Sequence, residues 1–254
     1  NGHEFVEAIL ALFKIRAVGI NINYRFVAPE VKYMVENADL KGIVTQRRFV
    51  PVINYAMEGM DPLQALVIIE DGASHQANQE SIEYEAALEQ GSEERDFQTR
   101  SGKDLYIIYT GGTTGMPKGV MWQHEDLFFS GLQGGCPGGD PVESPEPLDE
   151  QAKDGWYTVT MLPCAPFIHG AAQFTQFICN LTGGKLVLQP GPSFDAKRIL
   201  ELVAEEDVST ISLVGDAMAI PLIEELRTGD YDMSNLAVIA SAGAILSGSV
   251  QKEI

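Results

Sequence analysis

Residues 109–119, reading YTGGTTGMPKG, gather three threonines, four glycines and one lysine behind the apolar stretch 105–108. Glycines let a backbone turn tightly and approach a ligand, so successive N–H groups can converge on one anion-sized concavity. Thr110, Thr113 and Thr114 add neutral hydroxyl donors. Lys118 adds one full charge, and each charge-assisted bond contributes roughly 1.5 to 3 kcal/mol. Pro117 stiffens the exit. The run describes a holder for a polyphosphate, with a nucleotide as the natural ligand; the competing reading is a polar hairpin whose lysine is solvated. It is not a Walker loop, which needs Gly-Lys-Ser/Thr in direct succession, because Lys118 follows Met116 and Pro117 and precedes Gly119. Residues 119–123 read as extended, so the loop is expected to join two strands and to rely on backbone amides more than on a helix dipole.

Two other places could carry chemistry. His169 follows a Pro-bounded turn, where a polar ring can reach a pocket; it is either a hydrogen-bonded structural histidine or a site residue. Residues 241–247, SAGAILS, end an apolar strand, and the stretch is either an ordinary strand-to-helix turn or the wall of a ligand site, since open α/β sheets bind ligands beyond the carboxyl ends of their strands. There is no Gly-x-Ser-x-Gly elbow, no spacing suited to metal ligands and no basic stripe for nucleic acid, so no metal-binding residue is assigned.

The elements that must position these residues alternate. Residues 4–15 place Phe5, Ile9, Leu12 and Phe13 at helical spacing, and 17–21 read as a short buried strand. Helices are expected at 31–37, 49–60 and 80–90, and strands at 42–44 and 65–69. Beyond the loop, 125–132 can form a short helix. Then come strands at 156–162, 185–188, 209–214 and 236–241, and helices at 171–181, 196–206 with Asp195 as cap, and 217–226. Such alternation favours an α/β fold with two parallel-sheet subdomains flanked by helices. The Gly/Pro-rich, acidic stretch between them has few apolar residues and reads as a mobile linker or lid. The expected division is 1–135 with the loop, a linker at 136–155, and a second subdomain at 156–254.

With 254 residues, 45% of them hydrophobic, the chain can bury a real core. No apolar run approaches the ~20 residues of a membrane span, and the N-terminus lacks a signal-peptide pattern, so a cytoplasmic protein is expected. Cys136, Cys164 and Cys179 are odd in number and widely spaced, which argues against disulfides and zinc; Cys179 is expected to be buried. A formal charge of −19 opposes encounter with nucleic acid or an anionic membrane. A nucleotide site must therefore be positive locally.

Residues 109–119 resemble the signature of the adenylate-forming superfamily, which includes the acyl-CoA synthetases, luciferases and peptide-synthetase adenylation domains; Gly111 stands where serine is commoner. The opening segment NGHEFVEAILALFKIRAVGININYRF is similar to the superfamily's early helix and strand. The segment PCAPFIHGAAQF is similar to its Pro-Leu-x-His-x-x-Gly region, and SAGAILS to its Ser-Gly-Gly-Ala-Pro-Leu-Ser turn, with Ala242 in place of a glycine and Ile245 in place of proline. The segment GVMWQHEDLFF looks most like the bacterial fatty- and steroid-acid CoA ligases. The resemblance implies ATP, Mg2+ and CoA as cofactors and a small-molecule carboxylic acid as substrate. It implies that Thr110, Gly111, Gly112, Thr113, Thr114, Gly115 and Lys118 grip the triphosphate, that Gly243 and Ala244 line the adenine and acyl channel, and that His169 and Lys118 serve catalysis. No aspartate follows Phe167, as it does in the amino-acid-activating branch, so an uncharged acyl or aryl tail is expected. The magnesium-binding glutamate, ribose-binding aspartate and catalytic lysine of the family would lie beyond Ile254. The chain is thus expected to be an N-terminal-domain piece, inactive by itself, with an apolar sheet edge that association, possible as a homo-oligomer, would cover. A non-catalytic nucleotide- or acyl-binding scaffold, an aryl-acid ligase and a luciferase-like enzyme stay open as alternatives.

Overall fold

In the computed structural model, every residue of the chain is described except 112–114, 136–138, 141, 156–157 and 192. Two compact units emerge: one comprises Glu7–Arg100 and Asp104–Met121, the other Asn1–Val6, Ser101–Lys103 and Trp122–Ile254. The loop unit, as the first is called below, starts in helix α1, His3–Lys14, whose Ile9 is buried. A side chain at Gly19 would collide with that isoleucine, since an added Cβ would lie 2.2 Å from Ile9 Cδ1. Arg16 turns the chain in the left-handed region at φ 62° and donates to Asp104 at 2.7 Å. The expected strand at 17–21 reduces to one parallel bridge, Ile20 to Ile107.

Helix α2, Ala28–Asn37, is opened by Pro at its first turn, and Glu30 reaches back to accept from the Val27 N–H at 2.9 Å. Strands β1, Gly42–Gln46, β2, Ala65–Ile69, and β3, Ile82–Glu83, form a parallel sheet in that order. Helix α3, Val50–Ala56, packs Val50, Ile53 and Ala56 with Val31 and Val35 of α2 over Ile43, Leu66 and Ile68. Arg47, at the carboxyl end of β1, pairs with Glu70 at 2.9 Å and with Glu83, so one guanidinium joins the ends of all three strands. Helix α4, Tyr84–Glu89, follows. Strands β4, Leu105–Thr110, and β5, Lys118–Gln123, pair as a separate two-stranded sheet.

The sheet unit begins with a short helix α5, His124–Asp126, which a wide turn continues over Leu127–Gly131. The acidic, proline-rich stretch read as linker carries helix α6, Glu146–Lys153, anchored by the buried Leu148. A Cβ on Gly135 would lie 2.9 Å from a Leu148 methyl, so this helix is packed against the turn before it. Strands β6, Thr160–Pro163, β7, Lys185–Leu186, β8, Thr210–Leu213, and β9, Val238–Ser241, form a parallel sheet in the order β7-β6-β8-β9. Helices α7, Gly170–Leu181, α8, Ala196–Glu205, and α9, Asp216–Leu226, connect them. Asp195 caps α8 by accepting from the Arg198 N–H at 3.1 Å. All four residues of β8 are buried, and Ile211 and Leu213 join Leu162, Ile199, Leu200, Val203 and Leu222 in the core. The expected strand at 185–188 is shorter, two residues long.

Helix α7 carries polar side chains on its buried side. Thr175 bonds Ser212 Oγ at 2.9 Å, and Gln173 donates to the Phe167 carbonyl at 2.6 Å. Gln176 is fully buried, yet neither Oε1 nor Nε2 has a hydrogen-bond partner among the described residues. Burying an unsatisfied amide costs about 1–3 kcal/mol. Gln176→Met keeps the length without the amide and is expected to raise the free energy of unfolding by about 1–2 kcal/mol in a urea titration. An unchanged or lower midpoint would mean that the amide is satisfied.

Candidate functional site

The glycine- and threonine-rich loop leaves β4, whose Tyr106 and Ile108 are buried while Leu105, Ile107 and Tyr109 are half-buried, so the alternation carries the chain outward to exposed Thr110 and Gly111. Gly112, Thr113 and Thr114 lie outside the described residues. Gly115 and Met116 are exposed, Pro117 is buried, and Lys118 opens β5 with its side chain exposed. Among the described residues, a Cβ added at Gly111 or at Gly115 would meet nothing within 4 Å. Gly119 differs: its added Cβ would stand 2.8 Å from Ile107 Cγ2 and 3.0 Å from the Tyr109 ring, so this glycine lets the ring lie across β5.

Three side chains outside the loop hold its ends. The Asn21 amide donates to the Tyr109 carbonyl at 3.2 Å and accepts from the Tyr109 N–H at 2.8 Å. Tyr33 of α2 donates its hydroxyl to the Pro117 carbonyl at 3.0 Å. Tyr109 donates its hydroxyl to Asn37 Oδ1, at the end of α2, at 2.7 Å. Burial, and secondarily the nearby Tyr33, push the Tyr109 phenol above its ordinary value, so it stays a donor at neutral pH.

His169, Gly243 and Ala244 belong to the sheet unit. The chain leaves β6 through Cys164, whose N–H donates to the Ser212 carbonyl at 3.0 Å, and turns at 166–169 on a bond from the His169 N–H to the Pro166 carbonyl at 3.0 Å. Buried Phe167 fixes the turn by stacking on Phe5 at 5.1 Å between ring centroids, with its N–H donated to Asn1 Oδ1 at 2.9 Å. His169 then stands, exposed, at the amino-terminal cap of α7.

The turn after β9 is tied to the one after β8. Ala242 donates to the Leu213 carbonyl and Asp216 to the Ile245 carbonyl, both at 3.1 Å. Gly215 donates its N–H to Ser241 Oγ at 3.1 Å, and Asp216 Oδ1 accepts from the Ser247 N–H at 2.7 Å. Gly243 has φ 83°, and Gly215, buried between the turns, φ 59°. Because β6, β8 and β9 are parallel, His169, Gly215 and residues 242–247 all follow the carboxyl ends of one sheet. An open groove of ≈ 450 Å³ beside β9 takes Ala244 into its lining, with Ile239, Ser241 and Leu246.

The expected residues therefore sort by unit: Thr110, Gly111, Gly115 and Lys118 on the loop unit, His169, Gly243 and Ala244 on the sheet unit. Five supporting residues escape the sequence pattern: Asn21, Tyr33, Asn37, Gly215 and Asp216. For the last two a signal existed, since Gly-Asp between an apolar strand and an apolar helix marks a tight strand-to-helix turn. Burial pushes the Cys164 thiol up to about 12 and Cys179 to about 11, so neither is a nucleophile at neutral pH. Among the described residues no group of three or more His, Cys, Asp or Glu side chains could hold a metal ion, and no helix is long and apolar enough to cross a membrane.

The family model described as AMP-binding enzyme matches residues 1–254. The chain is 38% identical over 260 residues to the 3-oxocholest-4-en-26-oate–CoA ligase of Rhodococcus rhodochrous, covering 99% of this chain and 46% of that one. It is 34% identical over 257 residues to the medium-chain acyl-CoA ligase Mig of Mycobacterium avium, covering 100% of this chain and 46% of that one. It thus spans about half the length of the curated relatives it matches. In fold it is similar to the inhibitor-bound N-terminal domain of FACL13 from Mycobacterium tuberculosis, with a TM-score of 0.72 at 24% identity over 100% of this chain and 57% of that one. It is also similar to the anthranilate CoA ligase AuaEII in complex with anthranoyl-AMP, with a TM-score of 0.76 at 16% identity over 100% and 46%.

Proposed function

Because the chain belongs to the AMP-binding enzyme family, we propose that it is the nucleotide-gripping part of an acid–thiol ligase that activates a hydrophobic carboxylic acid with ATP. A carboxylate oxygen bonds to the α-phosphorus as the bond to pyrophosphate breaks, giving an acyl adenylate; the thiol of CoA then attacks the acyl carbon and AMP leaves. The relatives named for fatty and steroid acids support an acid of that apolar class, and the absence of an aspartate after Phe167 agrees with it.

The observation that carries this reading is that no described residue crowds Gly111 or Gly115: among the described residues no neighbour requires glycine there, whereas a ligand lying on the main chain would. The residues present fit a polyphosphate in that position. Thr110 donates a hydroxyl, the exposed backbone of Gly111 and Gly115 is open to phosphate oxygens, and Lys118 neutralises charge that grows on pyrophosphate as it leaves. Gly112, Thr113 and Thr114 complete the run in sequence. His169, at the carboxyl end of β6, orients the carboxylate, and Gly243 and Ala244 border the nucleoside and acyl group. Among the described residues no group of three or more ligating side chains could hold an ion alone, and a magnesium ion would come bound to the triphosphate oxygens.

The test is carboxylate-dependent exchange of labelled pyrophosphate into ATP, run with fatty, steroid and aryl acids on this chain and on the complete gene product. Exchange by the complete protein with a fatty or steroid acid is expected. Exchange with an aryl acid alone would overturn the substrate class, and exchange with none would overturn adenylation.

A further inference from the structure

We propose that Asn21 and Tyr33 are positioning residues that clamp the two ends of the phosphate loop, so that its backbone amides are aimed before nucleotide arrives. The inference rests on the adenylation reading and adds the groups that set the loop's shape.

The entry is held by a side chain acting as backbone. Ile20 and Ile107 form a single bridge, in which the Ile107 N–H reaches the Gly19 carbonyl at 3.4 Å, and the ladder goes no further. The next outward-facing pair of main-chain groups on β4, the N–H and C=O of Tyr109, meets the Asn21 carboxamide instead, which accepts at 2.8 Å and donates at 3.2 Å. A carboxamide is suited to this because it carries one acceptor and one donor side by side, as a peptide unit does. Asn21 is 7% exposed, so water does not compete well for those bonds. The strand is thereby fixed up to the residue before Thr110.

The exit is held from α2. Pro117 has no N–H, so its carbonyl is its one main-chain hydrogen-bonding group, and Tyr33 occupies it at 3.0 Å. Tyr33 and Asn37 lie four residues apart on one face of α2, and Asn37 accepts from the Tyr109 hydroxyl at 2.7 Å. One helix face therefore touches the strand entering the loop and the residue leaving it. Between those points a Cβ added at Gly111 or at Gly115 would meet no described residue within 4 Å. Fixing both ends removes conformational entropy that ligand binding would otherwise have to overcome.

The test uses Tyr33→Phe, which deletes one hydroxyl and keeps the ring, and Asn21→Leu, which keeps the shape and deletes both bonds, in the complete protein. Three quantities are read: the KM for ATP against the KM for the acid in pyrophosphate exchange, the rate of trypsin cleavage after Lys118 without ligand, and the thermal midpoint. Loss of one hydrogen bond corresponds to a factor of about 2 to 12, so Tyr33→Phe is expected to raise the KM for ATP by that factor. The KM for the acid and the thermal midpoint should stay in place while cleavage after Lys118 quickens. Asn21→Leu is expected to raise the KM for ATP and the cleavage rate more strongly and, because it leaves the Tyr109 N–H and C=O without their partner, to lower the thermal midpoint as well. Unchanged ATP KM and cleavage in Tyr33→Phe, or an equal rise in both KM values with a fallen midpoint, would overturn the clamp. A wild-type protein that exchanges nothing overturns the adenylation reading instead, and the cleavage rates then still decide whether the loop is clamped.

Discussion

Lys118→Ala in the complete protein is expected to slow pyrophosphate exchange by about 10- to 150-fold, the equivalent of one charge-assisted bond worth roughly 1.5–3 kcal/mol. Lys118 is exposed at the first position of β5 and its side chain makes no hydrogen bond or ion pair among the described residues, so truncating that side chain leaves the fold intact. The loss should therefore fall on the turnover number more than on the KM for the acid, as removal of a contact made mainly in the transition state does. Lys118→Arg keeps the charge and should recover part of the rate. A wild-type rate in the alanine variant would remove Lys118 from the site.

Gly215→Ala is expected to destabilise the protein by about 2–5 kcal/mol, because two penalties coincide. The residue sits at φ 59°, and the new Cβ would stand 2.5 Å from the Ile245 carbonyl oxygen and 2.9 Å from Ala244 Cβ. Backbone cannot swing aside as a side chain can, so the turn at 242–247 must move. Gly243→Ala is the matched control. It has φ 83°, but its nearest neighbour would be Val214 Cγ1 at 3.8 Å, so it should lose about 1–2 kcal/mol from the backbone conformation alone. Urea unfolding of both variants separates the cases, and equal losses would show that the two turns are not in close contact.

Elements with strong periodic patterns were legible from sequence. The apolar runs at 65–69 and 209–214 are strands β2 and β8, and the amphipathic run after Asp195 is helix α8 with its cap. Local pattern failed where a distant partner decides the structure. Residues 17–21 are apolar enough for a strand, yet the described ladder is one bridge, because Asn21 satisfies Tyr109 with its side chain. The stretch 136–155 was judged by composition, and one apolar residue, Leu148, was enough to seat helix α6 in it. For the candidate site, the glycine-threonine run marks a break between two extended segments, and β4 and β5 do flank it. Nothing within the run announces Tyr33 or Asn21, which lie 84 and 88 residues from their partners.

Those separations also bear on how the protein is made. A hairpin such as β4–β5 can close in about 1–10 μs through neighbouring residues. Its brackets, by contrast, demand closure of loops of 84 and 88 residues, the kind of non-local pairing that slows folding. On a ribosome, Asn21 and Tyr33 emerge long before Tyr109 and Pro117. The residues that bracket the hairpin are therefore already on hand when it emerges, and its two ends are pinned only once Asn21 and helix α2 stand in place to receive them. On the proposed reading, affinity for nucleotide would arrive late in synthesis, and its appearance would report that the loop unit has finished folding.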